Sequence, residues 1–441
     1  MRKLQEQDSA FKGEITAFSA LIFILMLSIV GALVESAFIQ MKTSTKRAVT
    51  RLALESVFAE YHVEMLKQYD LFVHVGGTED VIRNRLQYYG ARGMAHALEQ
   101  VELLSDYGGK PFFEQAVAYE KDWLGMDDLS SVGNLPFFTG ENAEEQEKSI
   151  LQQIEEALEE KDASLPKENN PLQSVQNLKN RGLLTLVLTD ATAVSNQTLN
   201  TKDLPSMREL TTGNYGEPHG FGAVDQLFFV AYLTEHFSNM AHCDEKKALF
   251  YEQEYLIGGK ASDRKNLEQV CKKILQMRTA SNYAYLLTDA KKQGEAEAVA
   301  TVICSAVGFP ELIGLVKQGL LLGWAYGEGV VDVRVLLKGK KVPLMKTAES
   351  WQLQLSNLIK LGTPDESVDE KDIRQGFGYD DYLKCLLVLE NQETLCMRGL
   401  DLIESNVHIK IDQCMTKAQI KTSLQLHGVI RDEFDTKFGY L

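Results

Sequence analysis

Apolar and polar positions follow three different rhythms along the chain. Residues 15–34 (ITAFSALIFILMLSIVGALV) are 20 consecutive uncharged positions, bounded by Lys12 and Glu14 on one side and Glu35 on the other. At the α-helical rise they span roughly 30 Å, the hydrocarbon thickness of a bilayer, so 15–37 reads as a transmembrane helix facing lipid. A cleavable secretory signal is the competing reading, with Arg2, Lys3 and Lys12 as its basic region. Such a signal has an apolar segment of about 7–15 residues followed by a small-x-small site. Here the run is longer and ends in Val34-Glu35-Ser36-Ala37, which favours a retained anchor behind a short cytoplasmic N-terminus, 1–14. Three Lys/Arg precede the span and four follow it (Lys42, Lys46, Arg47, Arg51), so charge counting leaves orientation open. The bulk of the chain is expected on the extracytoplasmic side, since long domains translocate largely regardless of such charges.

The second rhythm is amphipathic. No Gly or Pro occurs between Gly31 and Gly76, and Leu54, Phe58, Tyr61 and Met65 recur at intervals of four, three and four. That is one face of a helix, and the membrane segment is expected to continue unbroken to about Gln68, a rod of roughly 80 Å. Segment 38–75 then holds the extended helix and a first strand at 70–75.

Beyond it the pattern is mixed, then helical. Segment 76–165 reads as a mixed α/β extracytoplasmic region. It has helices around 79–89 and 114–124 and a break rich in Gly, Pro and Asn at 125–140. It closes with an acidic helix at 141–160 that carries eight Glu, one Lys and a narrow apolar seam of Leu151, Ile154 and Leu158. Segment 166–223 reads as linker and loop-rich strand region. Pro166 and Pro171 mark a linker at 161–171, LLTLVL at 183–188 a buried strand, and 211–222 a loop with Pro218 and His219. Segment 224–441 reads as a mainly helical domain, with helices at 224–240, 263–279, 294–307, 312–337, 379–388 and 393–406. The expected fold class is α+β, mainly α.

Composition adds exclusions. With Lys+Arg 46 against Asp+Glu 62, the formal charge is −16, which argues against nucleic acid as a partner. Cys243, Cys271, Cys304, Cys385, Cys396 and Cys414 make no CxxC or zinc-ribbon spacing and read as mostly buried free thiols. Gly258-Gly-Lys-Ala-Ser262 lacks the Lys-Ser/Thr step and upstream glycine of a phosphate loop, and reads as a turn with Ser262 or Asp263 as N-cap. His236, His242 and Cys243 lie close together, but a six-residue spacing puts the two histidines on different helix faces, so they read as incidental. G-x-S-x-G is absent, and Asp127-Asp128 and Asp380-Asp381 are adjacent pairs that diverge into solvent. The expectation is no enzyme, no cofactor and no metal. Glu35 at the end of the span is either a headgroup-layer carboxylate or the partner of a neighbouring helix, and Ser28, Gly31 and Ala32 would permit close helix packing there.

Gly13-Glu-Ile-Thr-Ala-Phe18 and the apolar run ending Val34-Glu-Ser-Ala37 resemble the opening of the Tad (tight adherence) pseudopilin-like membrane proteins of Gram-positive bacteria. More specifically they resemble a large uncharacterised family found beside Tad pilus genes. Further similar stretches are YEQEYLIGGK at 251–260, AYLLTD at 284–289, AYGE at 325–328 with Asp332-Val-Arg334, KVPL at 341–344 and GFGYDDY at 376–382. The resemblance covers the N-terminus and roughly 224–415. It implies a single-pass protein with its bulk outside the cell, accompanying a type IV-like pilus machine, with other pilin-like or pilus-platform membrane proteins as partners. It also maps precursor cleavage after Gly13, so that Glu14 would start the mature chain; where the pilin pattern then has Glu, this sequence has Phe18. The functional expectation is a non-enzymatic minor pseudopilin or assembly component. The alternative is a membrane-tethered sensing, adhesion or ligand-binding protein.

Overall fold

The computed structural model describes residues 2–76, 78–124, 141–159, 170–188, 194–216, 222–363, 366, 368, 371, 376–426 and 429–440. The break at 125–140, with Asp127-Asp128, most of the linker at 161–171, and Pro218 and His219 lie outside them.

Helix α1 (Arg2–Phe58) carries the apolar run, and every side chain from 15 to 38 is exposed. Contact with the folded body begins near its far end, where Thr50, Ala53, Leu54, Val57 and Phe58 are buried at helical spacing. The unbroken helix ends at Phe58, ten residues short of the expected Gln68. Residues 59–62 turn the chain, the His62 side chain accepts from Met65 N, and a separate short helix, α2 (Val63–Tyr69), follows. The periodicity that suggested one rod is real but serves two cores. Leu54 and Phe58 pack with the sheet cluster, whereas Met65 and Tyr69 pack into the large helical core.

The chain continues through β1 (His74–Val75), α3 (Glu79–Tyr88), β2 (Ala95–Leu103) and α4 (Asp106–Leu124). Next come α5 (Glu141–Glu159), α6 (Pro171–Lys179), α7 (Leu183–Val187) and α8 (Ala223–His236). The remaining helices are α9 (Glu252–Gly258), α10 (Asp263–Leu286), α11 (Ala290–Val307), α12 (Ile313–Leu337), α13 (Tyr379–Leu389) and α14 (Gln392–Val407), before β3 (Cys414–Leu426) and β4 (Val429–Gly439). The fold is α+β and mainly α.

Two expectations need correction. Residues 183–187 are helical, not a strand. Leu184, Leu186 and Val187 are all buried, and an apolar run this short has no period by which to tell the two states apart. The end of the chain is not helical either: β3 is the central strand of a four-stranded antiparallel sheet, with β2 on one edge and β1 followed by β4 on the other. Its inward positions Ala418, Ile420, Thr422 and Leu424 alternate with more exposed ones, the period of a half-buried strand. Against this sheet sits the end of α1. The Phe58 ring lies 4.8 Å from Phe438 and 5.2 Å from Tyr440, whose hydroxyl donates to Phe58 O.

The outer edge of β2 is covered by a loop rather than a strand. Val101 N donates to Asn214 Oδ1, Val101 O accepts from Asn214 N and Tyr215 N, and Asn214 Nδ2 reaches Glu99 O. This satisfies an edge that would otherwise invite pairing with another chain. Gly213 makes the approach possible: a Cβ there would overlap Val101 O and the Asp106 carboxylate. Gly213→Ala is expected to cost about 1–3 kcal/mol and to expose the β2 edge. A lowered Tm, together with faster amide exchange at residues 99–101, would be the readout.

Candidate functional site

The residues singled out for helix packing are brought together on α1. Ser28, Gly31, Ala32 and Glu35 stand at i, i+3, i+4 and i+7, one face of the helix, and all are exposed. Ser28 turns its hydroxyl back onto Ile24 O at 2.8 Å, the usual way a serine satisfies itself in an apolar helix. Gly31 has nothing near the position of a Cβ, so that face is smooth and open. Gly13 and Glu14 lie within α1, which passes through them without a break; their side chains lie outside the described residues.

The motifs of the C-terminal half occupy the interior. Glu252, Gln253, Glu254 and Tyr255 of α9 are all buried. Glu252 accepts from Ser238 N and Asn406, Gln253 donates to Phe237 O, and Tyr255 donates to Asp401. Glu254 accepts from Met240 N and the Tyr379 hydroxyl, yet burial pushes its pKa up to about 7. The turn at 258–262 is closed by Asn266, which accepts from Lys260 N and donates to Lys260 O, and Asp263 caps Phe250 and Tyr251.

Between α10 and α12 lies a quartet of charges with almost no exposure. Arg278 donates to Asp332 at 3.0 Å and also reaches Pro343 O, Leu344 O, Tyr382 and Asn282. Lys346 lies 2.5 Å from Glu328 and 2.6 Å from Asp332. Two cations face two anions, so the set is neutral, and Gln352 N and Leu353 N complete the shell of Glu328. Burial and the neighbouring Asp332 raise the Glu328 pKa; the Arg278 and Lys346 charges hold that of Asp332 down against its burial. Every member is held by protein atoms, which marks this set as architecture and not as a reacting centre.

Two clefts remain. The larger, about 1290 Å³, is walled by Trp324, Trp351 and Lys292. Both indole N–H groups donate to Leu353 O, and the Lys292 ammonium covers both rings at 4.9 and 5.0 Å, so its aromatic wall is already occupied. The smaller, about 360 Å³, is lined by Glu120 of α4 with Glu235, His242 and Asp380. The trio weighed from sequence is not gathered here. His242 points to Asp380 at 3.5 Å and Cys243 is exposed; the other five thiols are buried, and all six are free. His236 turns inward, where its ring stacks on Tyr232 at 4.1 Å, and with Glu120 and Glu235 it forms a cluster of donor atoms within 4.8 Å of one another. Glu120 had no local sequence signal; only the packing of α4 on α8 brings it to the histidine.

A family model described as "Family of unknown function (DUF5702)" matches residues 161–426. No curated protein and no solved structure matches the chain. The matched span leaves out α1 and ends on the last residue of β3, and it contains the whole charge quartet and α9.

Breaking the quartet strands a buried carboxylate. Lys346→Met is therefore expected to cost about 3–5 kcal/mol in a denaturant titration, more than an ordinary core substitution. The pH response follows from Glu254. Its folded pKa near 7 exceeds the ordinary glutamate value of 4.5, so between those values the folded state binds the extra proton. Stability is then fully present below about pH 4.5 and falls as pH rises through 7, by on the order of 3 kcal/mol. Glu254→Gln should flatten the stability profile between pH 5 and 8; an unchanged slope would place the proton elsewhere.

Proposed function

Taking as premise that the chain belongs to the DUF5702 family of unknown function, we propose that it is a non-enzymatic, single-pass membrane protein acting as a minor pseudopilin or assembly component of a Tad or type IV-like pilus. The observation that carries the reading is the form of α1. One continuous helix of 57 residues leaves its apolar part wholly exposed and seats only its last turns on an antiparallel sheet. The segment has a mean hydropathy of 2.7 over its most apolar window and none of that window is buried, so water is not the solvent it is built for. A simple tether would need only the roughly 20 residues that cross the bilayer; here the helix runs on as part of the folded body.

In this reading the face formed by Ser28, Gly31, Ala32 and Glu35 packs against the span of a neighbouring pilin-like protein. Small residues let two backbones approach, and dispersion contacts then accumulate without any help from the hydrophobic effect. Glu35 would find its opposite charge on that neighbour, where an unpaired carboxylate near lipid is costly. The folded body stays on the extracytoplasmic side and caps or primes the assembly. The resemblance of Gly13–Phe18 to a pseudopilin opening supports the same placement.

Photo-crosslinkers at positions 31 and 32 are expected to capture pilin-like or platform membrane proteins in cells, and capture of none would sink the reading. Replacing residues 15–34 by an unrelated apolar span should abolish pilus assembly while leaving the protein in the membrane. Retained assembly would reduce the span to a tether. The N-terminal residue of the mature protein is expected to be Glu14.

A further inference from the structure

We propose that Glu120, Glu235 and His236 form a binding site for a divalent transition-metal ion where α4 packs on α8, beside the 360 Å³ cleft that Glu120 and Glu235 line. The proposal rests on geometry and on one unsatisfied atom. One oxygen from each carboxylate and one ring nitrogen lie within 4.8 Å of one another. Tetrahedral coordination with bonds near 2.0–2.2 Å needs donor separations of about 3.3 Å, so the side chains draw in by up to about 1.5 Å on binding, and Glu235, which is exposed, is the freest to move. The independent observation is Glu120 itself. It is 1% exposed, it lines the cleft, and its Oε1 has no hydrogen-bond partner among the described residues. A buried carboxylate oxygen without a donor is costly to maintain, and a cation removes that cost directly.

The surroundings prepare the histidine for this role. Its Nδ1 lies 3.1 Å from Tyr232 O, a carbonyl that can only accept, so Nδ1 donates there and Nε2 is the nitrogen available to a metal. Tyr232 stacks on one face of the ring and Tyr119 meets it edge-on at 5.4 Å, so the imidazole is held in place. In the metal-free chain Nε2 donates to Asp70 Oδ2 at 3.1 Å, so a cation binding that nitrogen releases its proton and gains Asp70 as an adjacent carboxylate.

The donor set selects the class of ion. One imidazole with two carboxylates suits zinc, manganese or iron(II) better than magnesium or calcium, which favour oxygen-only shells. With three protein donors and a cleft beside them, remaining coordination positions are open to water or to a side chain of a partner. Nothing in the pilus reading is needed for this site, and its failure would leave that reading untouched.

The test is direct titration of the metal-free full chain, purified in detergent, with ZnCl₂ against a chromogenic chelator, followed by thermal unfolding. One equivalent should bind, and the Tm should rise in a saturable way. Glu235→Gln changes an exposed side chain and should preserve the fold by circular dichroism while weakening zinc at least tenfold. Glu120→Gln and His236→Gln should do the same. The paired variant His242→Gln with Cys243→Ser removes the exposed donors nearby and should bind as the parent does. Absence of stoichiometric zinc binding overturns the proposal, as does binding that survives Glu235→Gln but is lost in the His242/Cys243 pair.

Discussion

The seat of α1 on the sheet is the contact on which the use of this molecule depends. The apolar run from 15 to 38 is exposed throughout, so that part of the helix is held in a direction only by the turns that follow it. Those turns are held in two ways. Ala53, Leu54, Val57 and Phe58 bury an apolar face against Ile420, Leu424 and their neighbours, at about 1.5–3 kcal/mol for each large side chain. Around that patch polar contacts fix the rotation of the helix: Arg47 grips Asp432 through two nitrogens and lies over Phe434, while Lys46 donates to Arg92 O. A bidentate guanidinium pair adds direction as well as energy. The apolar surface therefore supplies the strength of the joint, and the charged contacts supply its angle.

The helical body is organised by a different constraint. Its two central helices carry Arg278, Glu328 and Asp332 facing one another, and Lys346 enters from the loop that follows. Such a set contributes little net stability relative to apolar residues of the same volume, because desolvation offsets the attraction. What it does enforce is register. A slip of α12 along α10 would leave two carboxylates without partners in a dry interior, a far larger penalty than any loss of contact. The glutamates and tyrosine of α9 work in the same manner on the loops at 238–240 and on Asp401. The most distinctive motifs of the family-matched region are thus polar groups that specify one packing of an apolar core.

This explains which parts could be read from the residues. Helices with a one-sided apolar period, such as 263–286 and 379–389, were legible because burial on one face leaves a 3.6-residue trace, whereas 313–337, buried nearly all round, was legible as a long apolar run without breakers. The apolar span was legible for the simpler reason that nothing interrupts it. Strand β2 escaped notice because its partners lie more than 300 residues away, and Ala-His-Ala-Leu-Glu-Gln-Val has a weak alternation. The end of the rod at Phe58 was hidden because Tyr61 and Met65 continue the period of Leu54 and Phe58 while packing elsewhere. Of the candidate positions, the α1 face followed from spacing alone. The Glu120–His236 cluster could not, since two helices distant in sequence must dock before it exists.

The position of β3 has a consequence for how such a chain is made. β1 and β2 are made more than 300 residues before Cys414–Leu426, the strand between them, and the sheet under α1 is incomplete until that strand emerges. Pairings so distant in sequence are slow to form, because a long loop must close before any contact rewards it. For most of its production the helix is therefore a hinged stalk on an unfinished base, with β1 and β2 presenting bare edges. Any quality-control step that reads the finished seat of α1 would in effect be checking that the ribosome has passed β3 and β4. A truncated product would carry the same apolar helix without a rigid head.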